Sequence, residues 1–182
     1  MFILRQLATV ALALGRTVFA IDCWQKIRRL EPQNADVLAT LAYLQAGCGD
    51  LKAACRLLDK AVALAPARAA HRFNRGYLFQ QQELHQAALQ DFDQALVLDP
   101  ALDRAWYGKA LSLISLNRLN DAIEPLRRNT ELQPMSPYGW YQLAHVHHRL
   151  GDAGSVARVI RRIAQFEPAV ARKLIQETGV DP

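Results

Sequence analysis

Apolar positions in this chain recur with the periodicity of helices, not the two-residue alternation of strands. Ala20, Ala54, Ala88, Ala122 and Val156 are each followed four residues later by a large apolar side chain: Trp24, Leu58, Phe92, Leu126 and Ile160. Ten residues later stand Leu30, Leu64, Leu98, Leu132 and Phe166. Members at i, i+4 and i+10 share one helical face, with the small residue where a second helix must come close. Two positions further on comes a proline, at Pro32, Pro66, Pro100, Pro134 and Pro168, where each helix is expected to stop. Successive prolines stand 34 residues apart. A fixed period of that size marks a stack of supersecondary units, each burying its apolar face only against its neighbours.

Upstream in each unit the pattern predicts another apolar helix, carrying Leu4/Leu7, Leu38/Leu41, Trp106/Ala110 and Trp140/Leu143. Breaks follow at Gly15, Gly49, Glu83, Asn117 and Gly151, and the three glycines suit a helix C-terminus. Asn34 and Ser136-Pro137 read as helix starts, and Pro125 predicts a kink inside a helix. At the C-terminal end, Val170, Leu174 and Ile175 oppose Arg172, Lys173, Gln176 and Glu177, the pattern of a capping helix over 169–179. At the other end Phe2, Ile3, Leu4, Leu7, Val10 and Leu14 open the array with no polar-faced helix before them, a candidate surface for docking or self-association.

The 34-residue helix-turn-helix register, with Gly76, Phe79, Ala88, Phe92, Ala95 and Pro100 in one unit and Ala105-Trp106, Ala122 and Pro134 in the next, resembles the tetratricopeptide repeat. The resemblance covers residues 1–170. It implies an all-α, right-handed α-solenoid in one domain over 1–182. Its units would be 1–34, 35–68, 69–102, 103–136 and 137–170, followed by the capping helix. Arg72 and Arg75 depart from the pattern where Trp and Leu are usual, and Asn129 and Ile163 where Ala is usual. In that family the first helices line a concave, peptide-binding groove. The implied lining is Tyr43, Phe73, Asn74, Tyr77, Arg104, Tyr107, Tyr138, Tyr141, Gln142, His145 and His148. Its tyrosines offer large contact area at low entropy cost. Of the carboxylate clamp that some members use on chaperone C-termini, only Asn74 and Arg104 are matched. Ala39, Tyr43 and Gly108 occupy positions that would carry Lys, Asn and Arg, so chaperone-tail binding is not expected.

Composition narrows the function classes. At 51% hydrophobic and 21% charged the chain is an ordinary globular one. Cys23, Cys48 and Cys55 form no ligand spacing, so they read as small core residues in a reducing compartment. Leu7 to Leu14 loosely resembles a signal sequence, but residues 1–34 stay in repeat register. A cytoplasmic protein is therefore expected, with export or membrane association through residues 1–20 as the alternative. His145 and His148 near Asp152 could meet a transition metal, but two imidazoles without a third ligand are read as groove residues, with no metal or cofactor. No catalytic triad, paired carboxylates or phosphate loop is present, so no enzyme is expected. Lys26, Arg28, Arg29, Lys60, Arg127, Arg128, Arg158, Arg161 and Arg162 supply a basic stripe within the +5 formal charge. Acidic residues interrupt it, and it is read as a solvated face without nucleic-acid binding. The richness in Arg, Ala and Leu suggests a GC-rich bacterial source. The expected function is an adaptor or assembly factor holding a peptide segment of a larger complex. A secretion-type chaperone or membrane-associated scaffold is the alternative.

Overall fold

The computed structural model describes residues 2–182, and all regular structure among them is helical. The helices fall into two compact units that meet in sequence at Leu98 and Asp99. The first unit comprises α1 (Phe2–Ala13), α2 (Thr17–Leu30), α3 (Ala35–Gly47), α4 (Leu51–Leu64), α5 (Ala69–Gln81) and α6 (His85–Leu98). Within it each helix from α1 to α6 packs on the next. The second unit comprises α7 (Asp103–Ser115), α8 (Leu119–Leu132), α9 (Pro137–Arg149), α10 (Ala153–Ala164) and α11 (Pro168–Thr178). These also pack in succession, and α11 folds back onto α9 as well as α10. Among the described residues no helix is long and apolar enough to cross a membrane.

The predicted small-residue column is fully buried. Ala20, Ala54, Ala88, Ala122 and Val156 are all 0% exposed, and Leu58, Phe92, Leu126 and Ile160 of the next column are at 2% or less. The leucine column differs: Leu30, Leu64, Leu98 and Leu132 remain exposed, because each is the last residue of its helix and overhangs the turn.

All five breaks adopt left-handed backbone, with φ of 70° at Gly15, 86° at Gly49, 60° at Glu83, 57° at Asn117 and 77° at Gly151. Three are glycine because only glycine enters that region without Cβ strain, while Glu83 and Asn117 occupy it at a cost. Asn34 caps α3 as expected, accepting from the amides of Asp36 and Val37. Asp50 and Asp152 cap α4 and α10 in the same way. Ser136 stands at the start of α9 with Pro137 in its first turn, but its hydroxyl makes no capping bond. Pro125 lies within a single uninterrupted α8. It is buried, and the carbonyl it leaves without a helical donor belongs to exposed Asp121, where water can satisfy it. Pro168 does not end a helix; α10 stops at Ala164 and Pro168 opens α11. Of the cysteines, Cys23 is core, Cys55 half-buried and Cys48 exposed in the turn after α3.

The departures from the repeat pattern are compensated locally. Trp106 and Trp140 donate from Nε1 to the carbonyls of Pro100 and Pro134 at 2.9 and 3.2 Å. Arg72, in the same column, donates from Nε to Pro66 at 3.4 Å, so a different side chain keeps a weaker form of the link. Arg75 forms a two-pronged pair with Asp91 at 2.7 and 2.8 Å and also reaches Asp59 at 3.0 Å. Asp91 is 3% exposed, in a column that is Cys23, Leu57, Pro125 and Val159 elsewhere. The hydrogen bonds that Arg75 donates to the Asp91 carboxylate push its pKa further above the ordinary value. Asn129 donates to the Asp103 carbonyl at 3.1 Å. Its extra volume is accommodated by Gly139, where a Cβ would collide with Asn129 Oδ1.

Glu83→Gly removes the left-handed strain of a residue that has exposed surroundings. Stability should rise by up to about 1 kcal/mol in urea unfolding, while Gly49→Ala should cost a similar amount.

Candidate functional site

In the first unit the expected groove residues converge. Ala39, Ala42, Tyr43, Ala46 and Gly47 follow one another at helical steps along α3, and Asn74, Tyr77, Leu78 and Gln81 do so along α5. Together with Leu12, Thr17, Leu44 and Leu58 they line a cavity of about 380 Å3. No charged side chain is among these lining residues. The floor is small and apolar, and Tyr43 and Tyr77 stand at its rim, 76% and 48% exposed. Phe73 faces inward instead: its ring stacks on Tyr77 with centroids 6.4 Å apart and meets Phe92 of the core at 6.0 Å. Phe73 therefore braces Tyr77. Ala42, Ala46, Gly47 and Gln81 were not foreseen as lining. Stepping three or four residues from Ala39, Tyr43 and Tyr77 along the same helix faces reaches all four.

Beside this cavity lies an ionic cluster. Arg68 and Asp36 pair at 3.3 Å, and His71 Nε2 is 3.3 Å from Asp36 Oδ1 without making a hydrogen bond. The His71 ring is 3% exposed, and burial lowers its pKa from the ordinary 6.5 against the opposing pull of Asp36.

In the second unit Arg104, Tyr107 and Tyr138 line a smaller cavity of about 260 Å3 with Asp103, Asn129, Gln133 and Ser136. Burial raises the Tyr107 pKa, and its hydroxyl is hydrogen-bonded to Gln142. Tyr138 is 71% exposed. Tyr141 and His145 are engaged by the capping helix: both reach Glu177 Oε2, at 2.8 and 3.1 Å. Lys173 stands 5.1 Å above the Tyr141 ring. The hydrogen bond donated by Tyr141 lowers the Glu177 pKa and raises its own. These two residues therefore hold α11. His148 is exposed on α9 and lines neither cavity. The histidine that meets Asp152 is buried His147, at 3.3 Å, not His148.

The basic positions divide in the same unit. Arg128 is held by Glu124 and Glu131 at 3.2 and 2.9 Å, whereas Arg127, Arg158 and Arg162 line a cavity of about 390 Å3 with Trp140 and His147.

With this geometry the chain can be compared with known proteins. No family model matches it. It is 25% identical over 179 residues to the human protein O-mannosyl-transferase TMTC1, covering 96% of this chain and 20% of that protein. It is 31% identical over 106 residues to the small glutamine-rich tetratricopeptide repeat-containing protein 2 of Mycosarcoma maydis, covering 58% of this chain and 30% of that one. The structure superposes on YrrB, a tetratricopeptide-repeat protein with an unusual peptide-binding site, with a TM-score of 0.76 at 15% identity over 93% of this chain and 88% of YrrB. The chain has the fold of tetratricopeptide-repeat proteins. The chain spans only 10 to 30% of the length of the curated relatives it matches.

Two buried imidazoles, one in each unit, set the acid response of these repeats. Burial lowers the pKa of both His71 and His147, so the folded state disfavours their protonation and the unfolded state binds more protons. Their contribution is fully present above the unfolded value of 6.5 and is lost as pH falls through it towards the lowered folded values. Melting temperature should drop between pH 7 and about 5, and less steeply in His71→Val, which carries the residue found at the equivalent Val37.

Proposed function

We propose that this chain is a non-enzymatic scaffold that holds a peptide segment of a partner protein. In this reading the helix pairs from α1/α2 to α9/α10 are five repeat units and α11 closes the last. The observation that carries the proposal is the cavity of the first unit. Two exposed tyrosines rim a hollow floored by Ala39, Ala42, Ala46 and Gly47, and an exposed aromatic pair over a small-residue floor suits capture of a side chain. The protein-interaction vocabulary of its relatives agrees, among them a wheat Hsp70-Hsp90 organizing protein, as does the peptide-binding site of YrrB.

The chemistry of the cavity selects the ligand. With Ala39 where a carboxylate clamp would place a lysine and Tyr43 where it would place an asparagine, the lining is uncharged. The preferred segment is therefore internal to its chain and anchored by an aliphatic or aromatic residue. Asn74 and Gln81 lie in the same lining and can bond the peptide backbone.

Selection of a displayed peptide library on the full chain should enrich segments with an apolar anchor and no requirement for a free C-terminus. Tyr43→Ala/Tyr77→Ala should weaken the selected peptide at least about tenfold with helicity unchanged. Equal affinity in wild type and variant would remove the cavity from the function.

A further inference from the structure

The first helix exposes a second, unrelated surface. Ile3, Leu7, Val10 and Leu14 are 72, 44, 53 and 66% exposed, while Ala8 and Ala11 on the other side of α1 are buried. The amide of Leu14 still bonds to the Val10 carbonyl at 3.0 Å, so Leu14 continues the helical line. Steps of four, three and four residues place these side chains in one narrow stripe, the spacing of a helix-on-helix seam.

One repeat downstream three of the four register positions are covered, the exception being Cys48 in the turn after α3. Val37, Leu41 and Leu44 of α3 are 1, 1 and 3% exposed, and Val37 and Leu41 share a core with Ile27 of α2. In α5 the corresponding His71 and Leu78 are 3 and 4% exposed. The stripe on α1 thus matches the surface through which later first helices receive a neighbouring helix, and in this structure it is exposed.

We infer that this stripe is a homodimer interface in which α1 packs antiparallel on α1 of a second copy. The four-three-four spacing is the same read in either direction, so an antiparallel copy sets Ile3 against Leu14 and Leu7 against Val10, twice, about a two-fold axis. No charge lies in the stripe to oppose self-pairing. The single basic residue of α1, Arg5, is held by Glu31 at 3.1 Å and lies over the Trp24 ring. A helix made to lie on anionic lipid would instead carry several Lys or Arg on its polar face. With the neighbouring Phe2, 73% exposed, the stripe offers on the order of 600 Å2, most of the roughly 800 Å2 that each partner of a standard interface buries. Head-to-tail pairing finds no counterpart on α11, which exposes Arg172, Lys173 and Gln176 and buries Ala171 and Leu174. Association therefore closes at two copies.

The test measures the mass of the full chain by light scattering. At about 50 µM, well above a micromolar Kd, wild type should run at twice the 20.4 kDa of one chain. Leu7→Lys and Val10→Glu, both at exposed positions, should each run as monomers with wild-type helicity and melting temperature. Mixed in equal amounts they should recover the doubled mass, because Leu7 of one copy faces Val10 of the other. A monomeric wild type, variants that still dimerise, or a mixture that stays monomeric overturns the interface as described. Co-sedimentation of a monomeric wild type with phosphatidylcholine vesicles, lost in both variants, would give the stripe to a lipid surface instead.

Discussion

Everything else in this chain depends on how closely paired helices approach. Helix axes come within packing distance only where facing side chains are small, and here the small positions face one another in a fixed register. A Cβ added to Gly76 of α5 would lie 3.0 Å from the Phe92 ring and 3.2 Å from the Ala88 carbonyl of α6. Ala8, Ala42, Ala110 and Ala144 share the Gly76 column at 0% exposure, as Ala20, Ala54 and Ala122 share that of Ala88. Because the approach is set there, large residues one turn away, such as Phe92 and Leu126, can be wholly enclosed. First-helix faces are then left free to carry binding groups.

A repeat constrained in this way tolerates unusual residues when they change in pairs. Asp91 alone would leave a charge in a column that is otherwise apolar, and Arg75 alone would carry a guanidinium into a leucine position. Together they form a two-pronged bridge with part of its charge satisfied by Asp59. Replacing such a pair with two apolar residues is often neutral or stabilising, while removing one partner strands the other. The pair is thus better understood as mutual compensation than as a source of stability. Asn129 and Gly139 show the same logic in volume instead of charge.

The repeat period made the fold legible before any coordinate was known, since 34-residue spacing constrains every column at once. Individual side chains were less legible. Leu30 and Leu7 carry the right residue type for the core but sit at a helix end and at an uncovered face, and hydrophobicity alone does not report either. Cys48 looks like a core residue until the turn places it outside. Tyr43, Asn74 and Tyr77, expected in a groove on the family resemblance, share one cavity lining, while Phe73 turns inward to the Phe92 ring. Tyr141 and His145 were read as open lining because no periodicity shows that α11 returns to α9 and presents Glu177 to both. Burial of Asp91 was invisible for a related reason: its partner Arg75 lies on a different helix, sixteen residues away.

The close approach itself is the claim most directly open to measurement, through urea unfolding of Ala88→Leu with Gln90→Leu as an exposed control. The account predicts that Ala88→Leu loses about 3 kcal/mol or fails to fold, since the added volume must push α5 and α6 apart, while Gln90→Leu stays within about 0.5 kcal/mol of wild type. An Ala88→Leu chain as stable as wild type would contradict it.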